Sequence, residues 1–118
     1  MQTIQQKRAK FALEQVKNAQ ANTNQSEFKS YAASFPSMIH TNGLGQAAAF
    51  FYSQKGTHLD LYQILSNWLC QEGQPYSLYQ DLLDGITRGD MATYRLAQIE
   101  SQALLDWVKK FAKAFMEE

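Results

Sequence analysis

The chain has 118 residues, of which 45% are hydrophobic, including seven Phe, six Tyr and two Trp. This length fits one domain, residues 1–118, that buries roughly two-thirds of the surface of its unfolded chain, so a packed core is expected and disorder is excluded. Eleven basic residues balance eleven acidic ones. The neutral balance argues against a general electrostatic attraction to nucleic acid or to acidic membranes.

Positive charge is nevertheless concentrated at the two ends of the chain. Residues 1–29 carry five basic and two acidic side chains, whereas residues 30–106 carry three basic and seven acidic ones. Residues 107–118 again have a basic excess, with three basic and two acidic side chains. Any contact with nucleic acid is therefore expected to be local and to use the ends of the chain.

The sequence predicts a cytoplasmic protein without membrane contact. Residues 1–8 lack the apolar segment of a signal peptide, and the longest apolar run, residues 47–52, is too short to cross a bilayer. The single Cys70 follows Trp68 and Leu69 and has no second cysteine to pair with. We expect it to be a buried, reduced thiol, as is usual in the cytoplasm.

Apolar residues at helical spacing predict an all-α fold, a compact bundle of about five or six helices. The first predicted helix covers residues 3–21. The second covers residues 27–34 and ends before Pro36, because proline disfavours helical geometry in the residue before it. A short helical turn through Ile39 follows.

The remaining apolar pattern predicts four further elements. A third helix is predicted over residues 44–54, and a fourth ends at residues 73–75. A fifth helix includes Tyr79 and Leu82 and is closed by Gly89. A long last helix covers residues 91–116, with Asp90 as its N-cap. No stretch alternates with the period of a strand. The core is expected to be built on three stripes, Ala9/Leu13/Val16, Leu61/Leu65/Leu69 and Leu104/Val108/Phe115.

The run Gly43-Leu-Gly45-Gln-Ala-Ala48 matches the glycine-rich fingerprint of dinucleotide-binding proteins. That fingerprint binds phosphate only where it follows a strand and opens a helix. No strand is predicted before Gly43, and the next acidic residue is Asp60. We therefore expect the two glycines to serve backbone geometry or close packing, and no nucleotide cofactor is predicted.

Residue types that carry catalysis or hold metals are sparse. His40 and His58 are the only histidines, and a zinc site needs three or four ligands. Cys70 has no recognisable catalytic partner. The carboxylates Asp81, Asp84 and Asp90 are interpreted as a solvated helix face with an N-cap. No catalytic residue, metal site or cofactor is predicted, and the chain is not expected to be an enzyme.

Lysines recur at helical spacing on one face of the first predicted helix and near the end of the last one. Such rows can contact successive RNA phosphates. The alternative is an ordinary solvated helix face, to which lysines near a helix carboxyl end also add a favourable interaction with the helix dipole. The candidate RNA-binding residues are Lys7, Lys10, Lys17, Lys109, Lys110 and Lys113.

The chain resembles the small-subunit family of the type III-B (Cmr) CRISPR effector complexes over nearly its whole length. The resemblance rests on residues 36–50, Pro-Ser-Met-Ile-His-Thr-Asn-Gly-Leu-Gly-Gln-Ala-Ala-Ala-Phe, after a helix containing Arg8, Ala9 and Ala12. The last helix matches in Tyr94-Arg95, Glu100 and residues 104–112, Leu-Leu-Asp-Trp-Val-Lys-Lys-Phe-Ala. Gln98 departs from this pattern, which leads us to expect threonine ahead of the acidic residue.

The resemblance implies a non-catalytic, all-α subunit present in several copies. These copies stack into an inner filament beside the backbone subunits, which carry the CRISPR RNA, and the complex also contains a large subunit. The small subunit helps to hold the duplex of guide RNA and target RNA in antiviral defence. Arg8 and Arg95 are candidates for a subunit contact or for RNA, and the neighbours of Arg8 also suggest that it pairs within the bundle. The alternative is a general helical adaptor that binds protein without RNA contact.

Overall fold

The computed structural model describes residues 1–117, and every regular element within them is a helix. The predicted all-α fold is therefore confirmed, with six helices. These are α1 (Ile4–Asn22), α2 (Gln25–Asn42), α3 (Leu44–Gln54), α4 (Gly56–Leu69), α5 (Leu82–Arg88) and α6 (Met91–Phe115).

Short polar side chains begin four of the six helices. At α1, Thr3 and Gln6 form a reciprocal capping box, each side chain bonding to the backbone of the other residue. Asp90 begins α6, as predicted, and its carboxylate accepts a hydrogen bond of 2.8 Å from the Thr93 N–H. Asn24 and Asp81 cap α2 and α5 in the same way. These caps satisfy amide groups that have no partner within their own helix.

The prediction that the second helix ends before Pro36 is wrong, because α2 continues through Pro36 to Asn42. Proline inside a helix removes one hydrogen bond and costs about 3 kcal/mol. On either side of it, Phe35 and Ile39 are fully buried and anchor both halves of α2 in the core. Gln102 of α6 also donates a side-chain hydrogen bond of 3.1 Å to the Pro36 carbonyl. Tertiary packing thus overrides the local preference.

The predicted fifth helix begins later than expected, since Tyr79 lies in a series of turns and α5 starts at Leu82. Those turns are held by Tyr76, whose side chain is fully buried and whose N–H donates to the Leu69 carbonyl over 2.9 Å. Burial raises the pKa of Tyr76 to about 12. The segment after α4 is therefore an ordered connection that packs against the bundle.

The core follows the predicted stripes in α4 and departs from them at the ends of the chain. Leu61, Leu65 and Leu69 are fully buried, as predicted. In α1 the buried line is Ala12, Val16 and Ala19, and the predicted Ala9 and Leu13 are only partly buried. In α6 Leu104 and Val108 are buried, but Phe115 is 39% exposed, so its assignment to the core is wrong.

Helices α1 and α6 run side by side in the same direction. Arg8 in the first half of α1 contacts Glu100 in the first half of α6, and Gln20 near the end of α1 donates a hydrogen bond to the carbonyl of Phe115 at the end of α6. Helix α2 runs the opposite way along α6, since Pro36 contacts Gln102 and the Glu117 N–H donates to Gln25. We call the region around Ile4 and residues 96–99 the amino end of the α1–α6 pair, and that around Gln20 and Phe115 its carboxyl end.

Two further expectations concern the burial of Cys70 and the membrane. Cys70 is only partly buried at the end of α4, so the prediction of a buried thiol is wrong in degree, although burial still raises its pKa. Among the described residues, no helix is both long enough and apolar enough to cross a membrane.

Candidate nucleic-acid interface

The predicted lysines of α1 are all exposed, but their surroundings differ. Lys7 and Lys10 line a shallow groove together with the acidic Glu14 and Glu72. Lys17 lies at the carboxyl end of the α1–α6 pair, where its Nζ is 4.1 Å from the centroid of the Phe115 ring. This cation–π contact holds the ammonium group over a half-exposed aromatic ring.

The predicted lysines of α6 are also exposed and lie on its solvent side. Lys110 forms a surface ion pair with Asp106, in which Nζ and Oδ2 are 2.9 Å apart. Lys109 lines a cleft between α2 and α6 together with His40, Thr41 and Asp106. A surface ion pair of this kind contributes little to stability, so Lys110 can exchange Asp106 for another anion.

The structure does not gather the six lysines into one cluster. The groove with Lys7 and Lys10 and the cleft with Lys109 have no lining residue in common. Each also contains at least one carboxylate, so neither has a strong local excess of positive charge. A contact with RNA at these lysines would therefore consist of separate phosphate contacts along α1 and α6.

Arg8 has a partner within the chain. Its Nε and Nη2 donate to the two carboxylate oxygens of Glu100 over 2.6 and 2.8 Å, and Trp68 Nε1 donates to Glu100 over 2.8 Å. The Arg8 and Glu100 side chains are 17% and 13% exposed. This pair joins α1 to α6, and the Trp68 ring joins α4 to both, so Arg8 serves the packing of three helices.

The same contacts change the pKa values of both partners. For Glu100, burial alone would raise the pKa, but the hydrogen bonds from Arg8 and Trp68 outweigh burial and hold the pKa below its usual range. For Arg8, the hydrogen bond to Glu100 raises the pKa further, against the opposing effect of burial. The pair is therefore ionised at neutral pH.

Arg95, the other arginine singled out from the sequence, lies on the exposed side of α6 next to an apolar surface. Its guanidinium approaches the Met91 sulfur at 3.6 Å. Leu96 and Ile99 are 60% and 68% exposed. They line a groove of about 390 Å³ with Ile4 and the Gly73–Pro75 turn. The sequence analysis missed this surface. The signal was present, because Leu96 and Ile99 fall outside the buried stripe of α6.

The glycine-rich run forms the beginning of α3, and a helix, not a strand, precedes it. Gly43 adopts φ of +89°, a conformation that favours glycine. It has no side chain to cap α3, and α6 supplies the cap instead. The Leu44 N–H donates to Gln98 Oε1 over 2.9 Å and the Gly45 N–H donates to Tyr94 Oη over 2.8 Å. The first two amide groups of α3 are thus already occupied by side chains of α6.

Close packing of glycine is required at Gly85 and not at Gly45. A Cβ atom added to Gly45 would lie 3.5 Å from its nearest neighbours, Ile86 and Tyr94, which is ordinary contact. A Cβ atom added to Gly85 would lie 2.5 Å from the ring of the buried Tyr76. The expectation of close packing at Gly45 is therefore corrected, whereas Gly43 does serve backbone geometry.

The remaining candidate residues have structural partners. His58 stacks on Tyr31 with ring centroids 3.7 Å apart, and burial lowers its pKa more than Glu27 raises it. Asp81 and Asp90 are helix caps, and Asp84 pairs with Arg88. Among the described residues, no group of three or more His, Cys, Asp or Glu side chains is arranged to hold a metal ion.

The fold and its surface define an all-α protein whose distinctive features are exposed cations on α1 and α6 and an exposed apolar groove beside them. Residues 4–115 match the model of the family described as "CRISPR-associated protein (Cas_Cmr5)". The chain therefore belongs to the Cmr5 family, the small subunits of type III-B CRISPR complexes, and the resemblance found in the sequence is confirmed.

One curated relative and one solved structure illustrate the match. The chain is 28% identical over 123 residues to the CRISPR system Cmr subunit Cmr5 of Thermus thermophilus, and the alignment covers all of both chains. It is also similar to the crystal structure of a CRISPR-associated Cmr5 family protein from Thermus thermophilus. That comparison gives a TM-score of 0.82 at 27% identity and covers 98% of this chain and 100% of the other.

Proposed function

We propose that this chain is the non-catalytic small subunit of a cytoplasmic type III-B complex that targets RNA in antiviral defence. In that complex, copies of the chain stack into an inner filament beside the backbone subunits and help to hold the duplex of guide RNA and target RNA. The observation that carries the proposal is membership of the Cmr5 family along nearly the whole chain.

The exposed cations on α1 and α6 support the RNA part of this proposal. Lys7, Lys10 and Lys17 follow one exposed face of α1, and Lys109, Lys110 and Lys113 follow the second half of α6. Lys7 and Lys10 adjoin Trp68 of α4, whereas Lys109 adjoins His40 of α2, so RNA would contact the two rows at separate positions. Arg95 extends the series towards the amino end of the pair. Arg8 is left out of this set because its guanidinium is held by Glu100.

Because the lysines are separated, strong binding of RNA is expected to depend on the assembly of several copies. A net-neutral chain with dispersed lysines offers each RNA only a few phosphate contacts, and each contact contributes a small, salt-dependent part of the affinity. Stacked copies repeat those contacts along one duplex. Repetition raises the overall affinity because contacts after the first are made at a high effective concentration.

Co-purification of a tagged chain from its native host tests the proposal directly. The expected result is recovery of the backbone and large Cmr subunits together with guide RNA. A Lys7→Glu/Lys10→Glu/Lys17→Glu variant is expected to recover the protein subunits and to weaken binding of target RNA. Recovery of proteins without any RNA would favour the alternative, a helical adaptor that binds protein only.

A further inference from the structure

An aromatic row lies along the second half of α6, where this helix borders α1. Its members, Trp107, Phe111 and Phe115, are four residues apart, so each is displaced by about 6 Å along the helix from the one before it. The centroids of neighbouring rings are 5.5 and 6.2 Å apart, with interplanar angles of 31° and 37°. Phe115 is 39% exposed, and the other two side chains are partly exposed. The three rings thus form one continuous strip of the surface.

A lysine accompanies each end of the aromatic row. Lys17 of α1 places its Nζ 4.1 Å from the centroid of the Phe115 ring. At the other end, Lys110 lines the same pocket as Trp107. Its ion pair with Asp106 joins side chains that are 67% and 60% exposed, so another anion can replace the carboxylate. Exposed aromatic rings beside cations are the combination that binds single-stranded nucleic acid, whereas lysine is depleted in interfaces between proteins.

The pocket beside Trp107 adds polar groups to this combination. Its volume is about 360 Å³, and Gln5 and Asp106 line it together with Trp107 and Lys110. The Trp107 Nε1 donates to Gln5 Oε1 over 3.4 Å, which holds the indole beside the amide. Amide and carboxylate side chains are the groups that bond to the edges of nucleobases. The pocket therefore offers a ring on which a base can stack, polar groups for its edge and a cation for its phosphate.

Aromatic rings distinguish unpaired RNA from a duplex, which lysines cannot do. Lysines contact the phosphates of either form. In a duplex, however, the faces of each base are covered by its neighbours, and the surface presents phosphates, sugars and base edges. A protein ring can stack only on a base that has left this arrangement. An aromatic row flanked by lysines is therefore suited to a single-stranded stretch of RNA.

We propose that the aromatic row binds unpaired nucleotides, whose bases stack on its three rings while Lys17 and Lys110 contact the adjacent phosphates. This inference rests on the proposed function and adds to it the class of ligand, which is single-stranded RNA beside the guide–target duplex. Because every base has an aromatic face, the row is expected to accept any sequence.

Photo-crosslinking in the reconstituted complex tests the stacking directly. The target RNA carries 5-iodouridine at one position, which is either paired with the guide or left unpaired by a mismatched run. Mass spectrometry is expected to find crosslinks from unpaired positions to Trp107, Phe111 or Phe115, and few from paired positions. Phe50, an exposed aromatic residue of α3, should not be labelled. Absence of crosslinks to the aromatic row from every unpaired position would overturn the inference.

Removal of single rings tests what the stacking contributes to affinity. Trp107→Leu and Phe115→Leu each keep an apolar side chain and lose the ring. Each should weaken binding of a target with an unpaired run by about tenfold, and weaken binding of a fully complementary target much less. Phe115→Trp keeps a ring and should bind like the wild type. Circular dichroism checks that every variant is folded.

Tyr52→Leu is the matched control for Phe115→Leu. Tyr52 is 38% exposed and also has a lysine over its ring, with Lys55 Nζ at 4.4 Å from the centroid, but it lies on α3 outside the aromatic row. Its loss should leave binding of both targets unchanged. An equal effect of the two leucine variants would show that any exposed ring contributes as much, and would overturn the inference.

The outcomes also separate this inference from the proposed function. If the leucine variants bind both targets like the wild type while Lys7→Glu/Lys10→Glu/Lys17→Glu still weakens binding, the aromatic row has no role in RNA binding and the proposed function stands. If Phe115→Leu instead loses another Cmr subunit from the complex without a change in RNA affinity, the row is covered by protein and the inference is wrong. A complex that contains no guide RNA would overturn the proposed function itself.

Discussion

Arg8 of α1 and Glu100 of α6 form a two-pronged ion pair, with hydrogen bonds of 2.6 and 2.8 Å between residues separated by 92 positions in the chain. Trp68 adds a third donor to the same carboxylate. The pair connects the two helices that carry the proposed RNA contacts, so it positions their exposed faces relative to each other.

Removal of one partner should therefore destabilise the fold. Arg8→Ala leaves a largely buried carboxylate with only the Trp68 donor, and we expect a loss of about 2 kcal/mol in the free energy of unfolding. Arg8→Lys should recover part of the loss, since an ammonium cannot reproduce the paired geometry. Urea denaturation measures both, and Arg95→Ala, at an exposed arginine of α6, should have little effect. Equal stability of Arg8→Ala and wild type would contradict this role.

The lowered pKa of Glu100 predicts how this contribution depends on pH. A carboxylate whose pKa is lower in the folded than in the unfolded state contributes stability above the unfolded value, about 4.3, and that contribution is lost as the pH falls through the folded value. Glu100→Gln should therefore be less stable than wild type at pH 7, and the difference should shrink below about pH 4. Denaturation midpoints at several pH values test this, with Glu14→Gln as the control for loss of one negative charge.

Alanine substitutions at two glycines should have different effects on stability. Gly85→Ala places a methyl group 2.5 Å from the fully buried Tyr76 ring, and overpacking of this kind costs about 1–3 kcal/mol. Gly45→Ala meets only ordinary contacts, and alanine gains up to about 1 kcal/mol over glycine within a helix. Thermal unfolding should give a lower midpoint for the first variant and an equal or higher one for the second. A lower midpoint for both variants would show that a methyl group at Gly45 does not fit against Ile86 and Tyr94.

The cap that α6 provides to α3 predicts a further effect. Tyr94→Phe leaves the Gly45 N–H without its side-chain acceptor and should cost about 1 kcal/mol, whereas Tyr52→Phe at an exposed position should cost less. NAD and ATP should not shift the midpoint of the wild-type chain, since Tyr94 and Gln98 occupy the first two amide groups of α3. A nucleotide-dependent rise in midpoint would show that the cap opens to a ligand.

The lysine row of α1 is tested in the reconstituted complex. Lys7→Glu/Lys10→Glu/Lys17→Glu should weaken binding of target RNA and flatten its salt dependence, because each lost phosphate contact removes about 0.7 to 0.9 from the log–log slope. The affinity is measured at two or more salt concentrations, with circular dichroism as the folding control. Lys10→Glu and Lys55→Glu form a matched pair of single changes, one inside the row and one outside both lysine groups. An unchanged affinity and slope in the triple variant would show that this face is only solvated.

The sequence by itself determined the helical class, the family and most of the helices. Apolar residues at helical spacing bury one face of an element whatever surrounds it, so the stripe Leu61/Leu65/Leu69 needed no tertiary information. Caps act within three or four residues, and Asp90 could therefore be assigned locally. The absence of strand periodicity before Gly43 was also readable locally, and the structure has a helix, α2, at that point.

Only the tertiary structure decided which side chains are engaged and which are free. The free energy gained by burying Phe35 and Ile39 carries α2 through Pro36, and that gain depends on neighbours far away in the chain. The partner of Arg8, the cap on α3 and the tight contact between Gly85 and Tyr76 all join different elements. The exposure of Leu96, Ile99 and Phe115 was decided in the same way. A residue's own spacing places it on a face of its helix, but the packing of other helices determines whether that face is covered.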